Sequence, residues 1–369
     1  MPASAIGPRV VSLQALGFRN LDPFAAQLGD AVTVVHGPNG AGKTNLIEAL
    51  YFAFTGRSPR GAPDRELIAF GAESARSEVA VQTEAGPRRF AAAVLRGEGK
   101  RLQVDGATRP TAAGLDERPA FSVFLPERLE LVKGGPRHRR GHIDLFVAAR
   151  WPARADLRSR YGRALAQRNA LVARSGGGGG EWDVWEQELS AAAVDLAGTR
   201  AEAVEALSEP LRELGERLGL PARLSLRHQS SVGSMTAEQV AAELRNRRPR
   251  DAARGFTTLG PHRDEIDLRL DDRSLRSYGS QGQQRMGLLA LLLSERRLLA
   301  ETAGSPPVLL LDDVLSELDP DRRRLLVGEV ADNGQCVLTT TERSMVPDAD
   351  VHAAIAVDGG AVRTFEEAA

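Results

Sequence analysis

The eight residues "GPNGAGKT", Gly37 to Thr44, carry the spacing G-x-x-x-x-G-K-[ST]. Glycines at 37, 40 and 42 let backbone N–H groups close around a chain of phosphates, with Pro38, Asn39, Ala41 and Asn45 completing the loop. Lys43 is placed to reach the terminal phosphates, and the Thr44 hydroxyl to ligate Mg²⁺. A second constellation is "PPVLLLDDVLSELD". Val308 to Leu311 form a continuous apolar run, expected of a parallel strand buried on both faces. Asp312 and Asp313 follow it, at the carboxyl end where such sheets bind ligands. Asp312 is expected to hold Mg²⁺ through water, and Asp313 to orient or deprotonate an attacking water; Lys43 and Asp313 are therefore the catalytic candidates.

A third constellation, "SYGSQGQQRMGLL", opens a helix. Ser280 and Gln283 fit an S-x-x-Q capping box, which alone would explain them as a helix start. Gly282 in the first turn is costly unless something must approach closely. Serine, glycine and two glutamines at a helix N-terminus make an anion site. The nucleotide contacts expected from the phosphate loop are thus Gly37 to Asn45, with Ser280, Gly282 and Gln283 a candidate anion site.

These residues need elements to hold them. "RVVSLQALGF" and "AVTVVH" are predicted strands, the second running into Gly37, and a helix is expected from Lys43 to about Phe54. Residues 78–104 alternate as short antiparallel strands, and "FSVFLP" reads as a buried strand. From 136 the texture becomes arginine-studded and helical. Glycines 176–180 separate two apolar stripes, the second through Trp182, Trp185, Leu189, Ala192 and Leu196, which predicts a helical hairpin. After Phe256 the α/β pattern returns, with a strand at "EIDLRL", a helix over about 281–302, a helix after Pro320 and a strand at "CVLTTT". The expected division is a head formed by 1–135 and 255–369, interrupted by a helical arm over 136–254.

The chain has 369 residues, room for a large core and a second domain. No apolar run reaches bilayer length and the first residues lack a secretory pattern, so a cytoplasmic protein with no membrane partner is expected. The single cysteine, Cys336, excludes an internal disulfide framework and reads as an inert core position. A formal net charge of −1 does not advertise nucleic acid, but the charge is unevenly spread. Lys43, Lys100 and Lys133 are the only lysines, and arginine supplies the remaining cations. Arg137, Arg139 and Arg140 form one basic cluster; Arg245, Arg247, Arg248 and Arg250 form another; Arg150 to Arg163 line the arm. With little aromatic interleaving, these suit salt-sensitive, sequence-independent contact with duplex backbone.

The order phosphate loop, signature, acid pair and "SELD" resembles that of the ABC-type ATPases. Within them, "LGFRNLDPF", "GKTNLIEALYFAFTGRSPR", "FLPERLELVKGGPRHRR", "TLGPHRDEID" and "YGSQGQQR" resemble the RecF branch, cytoplasmic DNA replication and repair proteins related to SMC-type heads. The resemblance implies an α/β P-loop head with an inserted helical arm. It implies ATP and Mg²⁺ as cofactors, ATP-dependent homodimerisation on DNA, weak ATPase activity, and action with RecO and RecR to load RecA at gaps. The helix start at Ser280, Gly282 and Gln283 resembles the signature of that superfamily, which reaches the nucleotide held by the other protomer. Ser316 to Asp319 resembles the loop that communicates across the dimer, so these three residues and Asp319 join the implied nucleotide contacts. Arg57 is expected near nucleotide or DNA, and Glu127 falls at the glutamine-loop position. No histidine follows the strand at "TTTE", so Thr340 or Thr341 is expected to replace the switch histidine. Asp313 stands where transporters carry glutamate, and its shorter reach predicts slow turnover. The competing reading is the nucleotide-binding subunit of an ABC transporter, against which the insertion and "FRNLDPF" argue.

Overall fold

Val32, Thr33, Val34 and Val35 are wholly buried, as are Leu309 and Leu310, because each run lies in a sheet covered on both faces. The computed structural model describes residues 7–109, 120–174, 180–316, 318–347 and 350–365. Its chain forms two compact units, Met1–Arg128 with Arg296–Ala369, and Leu129–Glu295.

In the first unit a six-stranded sheet runs in the order Ala361–Phe365, Ala353–Asp358, Val32–His36, Cys336–Thr340, Val308–Leu311, Phe121–Phe124. Ala361–Phe365 is antiparallel to its neighbour and the other pairings are parallel. The phosphate-loop strand and the acid strand are thus separated by one strand, Cys336–Thr340. Cys336 is fully buried, and burial pushes its thiol up to about 12, consistent with an inert core residue. A second six-stranded sheet, wholly antiparallel, includes Arg9–Leu16, Ser74–Thr83, Gly86–Leu95 and Gly99–Val104. Ala75, Ser77, Val79 and Val81 alternate inward along Ser74–Thr83, the period-two burial of a sheet with one covered face. The helix Lys43–Thr55 packs on that face, where Phe54 meets Phe90 and Phe121 at ring separations of 5.4 and 4.7 Å.

The second unit contains the expected hairpin, with helices Leu157–Ala173 and Gly180–Arg217 packed together. Leu189, Ala192 and Leu196 are buried along the predicted stripe. Glycines 176–179 lie outside the described residues. The expected boundaries at 136 and 254 move. Leu224–Gln229 is a strand rather than helix, and it pairs antiparallel with Glu265–Leu270 from Leu224↔Leu270 to Gln229↔Glu265. That ladder draws residues 255–295 into the second unit, and the boundary falls inside the helix Gln281–Ala303.

Among the described residues of this unit, the buried Arg168 and Arg200 are each paired with carboxylates. Arg168, fully inaccessible, donates to Asp251 at 2.7 Å, Thr257 Oγ1 at 2.8 Å, the Leu244 carbonyl at 2.9 Å and Glu186 at 3.2 Å. Arg200 bridges Asp144 and Asp264, and Asp264 also bonds His228 and the Ser231 N–H. His262 Nε2–H donates to the Thr257 carbonyl at 3.0 Å, which leaves Nδ1 to accept from the Tyr161 hydroxyl at 2.5 Å.

These contacts make the second unit acid-sensitive. Burial lowers the His262 pKa, so the folded ring is held neutral. An unfolded chain takes up that proton near pH 6.5. The stability from the neutral ring is therefore complete above that pH and drains away below it. Asp264 has the same sign at lower pH. Burial opposes its ionisation, but the bonds from His228 and Ser231 and the charge of Arg200 outweigh burial and hold it below the usual carboxylate range. Its contribution is lost as pH falls through the folded value. The melting temperature should drop between pH 7 and pH 5, and His262→Gln should start lower but drop less. Parallel pH profiles for the two proteins, followed by circular dichroism, would exclude His262 as a source.

Candidate nucleotide site

At the carboxyl ends of the parallel strands, a cleft of about 330 Å³ is lined by Asn39, Gly40, Lys43, Thr44, Asn45, Arg60, Glu127, Asp312 and Asp313, among others. The loop's shape follows from two close approaches. Gly37 sits at φ 152°, and a Cβ there would lie 1.9 Å from the Val357 carbonyl oxygen. Gly42, at φ 120° and immediately before the helix Lys43–Thr55, would press a Cβ on Leu21. Neither position admits a side chain, so the loop is a bare backbone opening onto a helix N-terminus, the arrangement that attracts phosphate. Lys43 lies over the loop, its ammonium donating to the carbonyls of Gly37 at 2.8 Å and Pro38 at 3.0 Å. Burial lowers its pKa, while Asp313 and Asp312 pull the other way.

The acid strand meets the loop through one hydroxyl. Thr44 Oγ1 donates to Asp312, with its oxygens at 2.8 and 3.0 Å. Burial raises the Asp312 pKa despite bonds from Thr339 and Thr44, so the carboxylate is held short of compensating charge. Asp313 takes a left-handed φ of 49° and its Oδ1 is buried with no hydrogen-bond partner. A hydroxyl, a charge-starved carboxylate and an unpaired carboxylate oxygen are hard oxygen donors, and they fit Mg²⁺. Among the described residues no cluster of three or more His, Cys, Asp or Glu forms a self-sufficient metal cage. A metal held mainly by substrate phosphates suits that donor set.

Arg60, rather than Arg57, lines the cleft. Glu48, fully buried on the helix Lys43–Thr55, organises the region: it accepts two bonds from Arg19 and one from Ser58 Oγ, and lies 3.8 Å from Arg60. Sequence reasoning missed both; the signal was a glutamate facing the core of an otherwise apolar helix. Glu127 lines the cleft as expected. The switch position differs: Thr340 Oγ1 donates to the Glu342 carbonyl, and Thr341 faces Met345 Sδ at 4.0 Å. Thr339 is the one that touches the acids, donating to Asp312 at 2.7 Å and accepting the Asp313 N–H at 2.8 Å.

In the second unit, Ser280 and Gln283 form the reciprocal capping bonds at 3.2 and 2.8 Å, and Gly282 lies in the first turn of Gln281–Ala303. Gln284, not anticipated, ties that start to the carbonyls of Leu275 and Arg276. Asp319 caps the helix Pro320–Ala331 by accepting from the Arg322 N–H at 2.9 Å, which lowers its pKa. Glu317 of the "SELD" stretch lies outside the described residues.

Two of the arginines expected on DNA serve the fold instead. Arg139 is buried, bonding Glu265 and the carbonyls of Val132 and Gly134. Arg248 pairs with Glu186 and Asp183 and stacks over Trp182. Arg247 pairs with Glu243, and Arg140 is half-buried on the Asp264 carbonyl. Arg137 and Arg245 are exposed, as are Arg250, Arg254 and Arg263, the last stacked on the partly exposed Phe256.

A phosphate loop and acid pair on a split α/β head, with a capped signature helix, define an ABC-type ATPase head of the SMC-like kind. A family model described as an AAA domain matches residues 12–119. The DNA replication and repair protein RecF of Anaeromyxobacter sp. (strain Fw109-5) is 38% identical over 352 residues, 92% of this chain and 94% of its own. That of Deinococcus radiodurans is 38% identical over 338 residues, 90% of each chain. The solved structure of the recombination mediator protein RecF-ATP in the RecFOR pathway aligns over 99% of this chain and 100% of its own, with TM-score 0.84 and 25% identity. The Smc head domain derived from Pyrococcus furiosus, TM-score 0.61 and 16% identical over 97% of this chain and 96% of its own, shares the fold. The chain belongs to the RecF family of DNA replication and repair proteins, an ATP-binding ATPase family. These relatives do not favour the transporter reading, and no helix among the described residues is long and apolar enough to cross a membrane.

Proposed function

We propose that this chain is an ATP-driven switch on DNA. ATP joins two copies head to head on duplex DNA, slow hydrolysis releases them, and the assembly helps RecO and RecR load RecA at single-strand gaps. The observation that carries this reading is the convergence of Lys43, Thr44, Asp312 and Asp313 on one cleft. In it, N–H groups of Gly40 to Thr44 and the Lys43 ammonium receive the β- and γ-phosphates. Thr44 and Asp312 would hold Mg²⁺, which supplies charge neutralisation on the phosphate oxygens. Asp313 orients the attacking water and accepts its proton. Ser280, Gly282 and Gln283 of a second copy present a helix N-terminus to the γ-phosphate, which makes occupancy of the cleft the condition for dimerisation.

Sedimentation with labelled duplex DNA, in ATP and then in ADP, tests the switch. A doubled mass carrying DNA is expected only with ATP, and Ser280→Arg should abolish it by placing bulk and charge at the shared site. A monomer indifferent to both nucleotides would end this reading.

For the DNA surface, Arg137, Arg245, Arg250, Arg254 and Arg263 present cations to solvent, while Arg139 and Arg248 are committed to the fold. Each arginine contacting a phosphate should contribute about 0.9 to the slope of log affinity against log salt. Arg250→Ala with Arg254→Ala should therefore weaken duplex binding about tenfold and flatten that slope by about 1.8. Unchanged affinity and slope would remove this face from the DNA contact.

A further inference from the structure

The strand between the phosphate loop and the acids carries a residue whose side chain touches both acids. Leu338 pairs with Leu311 in parallel register, so Thr339 lies one step beyond, beside Asp312. Its hydroxyl is inaccessible to solvent and fully committed. The proton goes to Asp312 Oδ1 at 2.7 Å, and the oxygen accepts the Asp313 backbone N–H at 2.8 Å. Thr44 holds the same Asp312 carboxylate from the phosphate-loop side. Asp313 meanwhile holds a left-handed backbone, φ 49°, a conformation uncommon for a non-glycine residue that the bond from its N–H to Thr339 helps to hold.

We infer that Thr339 is a positioning residue for ATP hydrolysis: one hydroxyl fixes the direction of the Asp312 carboxylate and holds Asp313 in the left-handed turn that aims its carboxyl group into the cleft. This rests on the reading of the cleft as an ATPase site. Threonine suits the task because it is β-branched and fits a buried strand, while its oxygen donates once and accepts once. Valine has the same shape and neither capacity. It would leave the partly buried Asp313 N–H without its partner and free the turn to relax toward ordinary backbone. Thr44 still holds the Asp312 carboxylate in the variant, and Lys43 and the loop N–H groups make no bond to Thr339, so nucleotide affinity should change little.

Thr339→Val should therefore lower kcat by about 10–100-fold, the scale of a hydrogen bond to a charged group. KM and the affinity for a fluorescent ATP analogue should stay within about threefold of wild type. Sedimentation should show an ATP-bound dimer that persists longer than the wild-type one, a readout independent of turnover. Thr339→Ser keeps the hydroxyl and should recover kcat to within a few-fold. Thr339→Ala takes the place of the valine variant if that protein does not melt cooperatively. Wild-type kcat in the variant lacking the hydroxyl would overturn the inference. So would a serine variant no better than valine, or loss of nucleotide affinity in step with kcat. If wild-type protein binds ATP but never hydrolyses it, the ATPase reading fails with the inference. If wild type hydrolyses and Thr339→Val matches it, the inference alone fails.

Discussion

Asp313→Asn is expected to lower steady-state ATP turnover by about 10³-fold, the usual size of a lost general base. Nucleotide affinity should hold. The argument is geometric. Asp313 stands just past the acid strand with Oδ1 buried and unpaired, while its neighbour Asp312 is spoken for by Thr44 and Thr339. The Asp313 side chain lines the cleft and this oxygen is not committed to a protein partner, and asparagine keeps its volume while giving up the proton acceptor. The backbone bond to Thr339 survives the change, since it uses the N–H and not the side chain. The variant should accordingly bind ATP, form the dimer and remain in it, and a single-turnover assay would show product appearing at the slower rate. Turnover within tenfold of wild type would assign the water to another residue, with Glu127 the first to examine because it lines the same cleft.

The largest effect on stability should come from Arg168→Met. Met preserves much of the length and removes the charge, which leaves Asp251 buried without its counter-ion and Glu186 with Arg248 alone. Asp251 is wholly inaccessible and Glu186 almost so. Removing one partner of a buried pair costs about 3–5 kcal/mol because the remaining charge keeps its desolvation penalty. The lost bonds to Thr257 and to the Leu244 carbonyl act in the same direction. Glu186 of the second hairpin helix and three residues of the stretch 244–257 converge on this one guanidinium, so the damage spreads between the hairpin and that stretch. For a unit of this size the transition should fall by about 10 °C. Chemical denaturation of the variant would measure the loss directly, and a cost below 1 kcal/mol would mean that water reaches the acids.

The phosphate loop, both acids and the capping box were legible because their chemistry is written in consecutive residues. Lys43, Thr44 and Asp312 share one cleft. What escaped depends on pairing across distance. Choosing Thr339 over Thr340 or Thr341 requires the register of Cys336–Thr340 against Val308–Leu311, and a one-residue shift sends the hydroxyl to the opposite face. Arg139 looked like part of a solvated basic run because its partner, Glu265, is far along the chain. Arg248 looked exposed for the same reason, since Asp183 and Glu186 come from the long helix. The strand Leu224–Gln229 is six residues after a long helix, too short to overturn the helical texture around it until Glu265–Leu270 is placed beside it.

The close packing of Gly37 against the Val357 carbonyl sets an order of events during synthesis. The cradle is encoded early, but one wall of it is the strand Ala353–Asp358, and the Gly360 N–H bonds the Ala41 carbonyl at 3.0 Å. A nascent chain still on the ribosome therefore carries the phosphate-loop sequence for most of its elongation without the wall that shapes it. The loop takes its final shape only once Ala353–Asp358 and Gly360 have been synthesised, so a product truncated before them lacks that wall of the cradle.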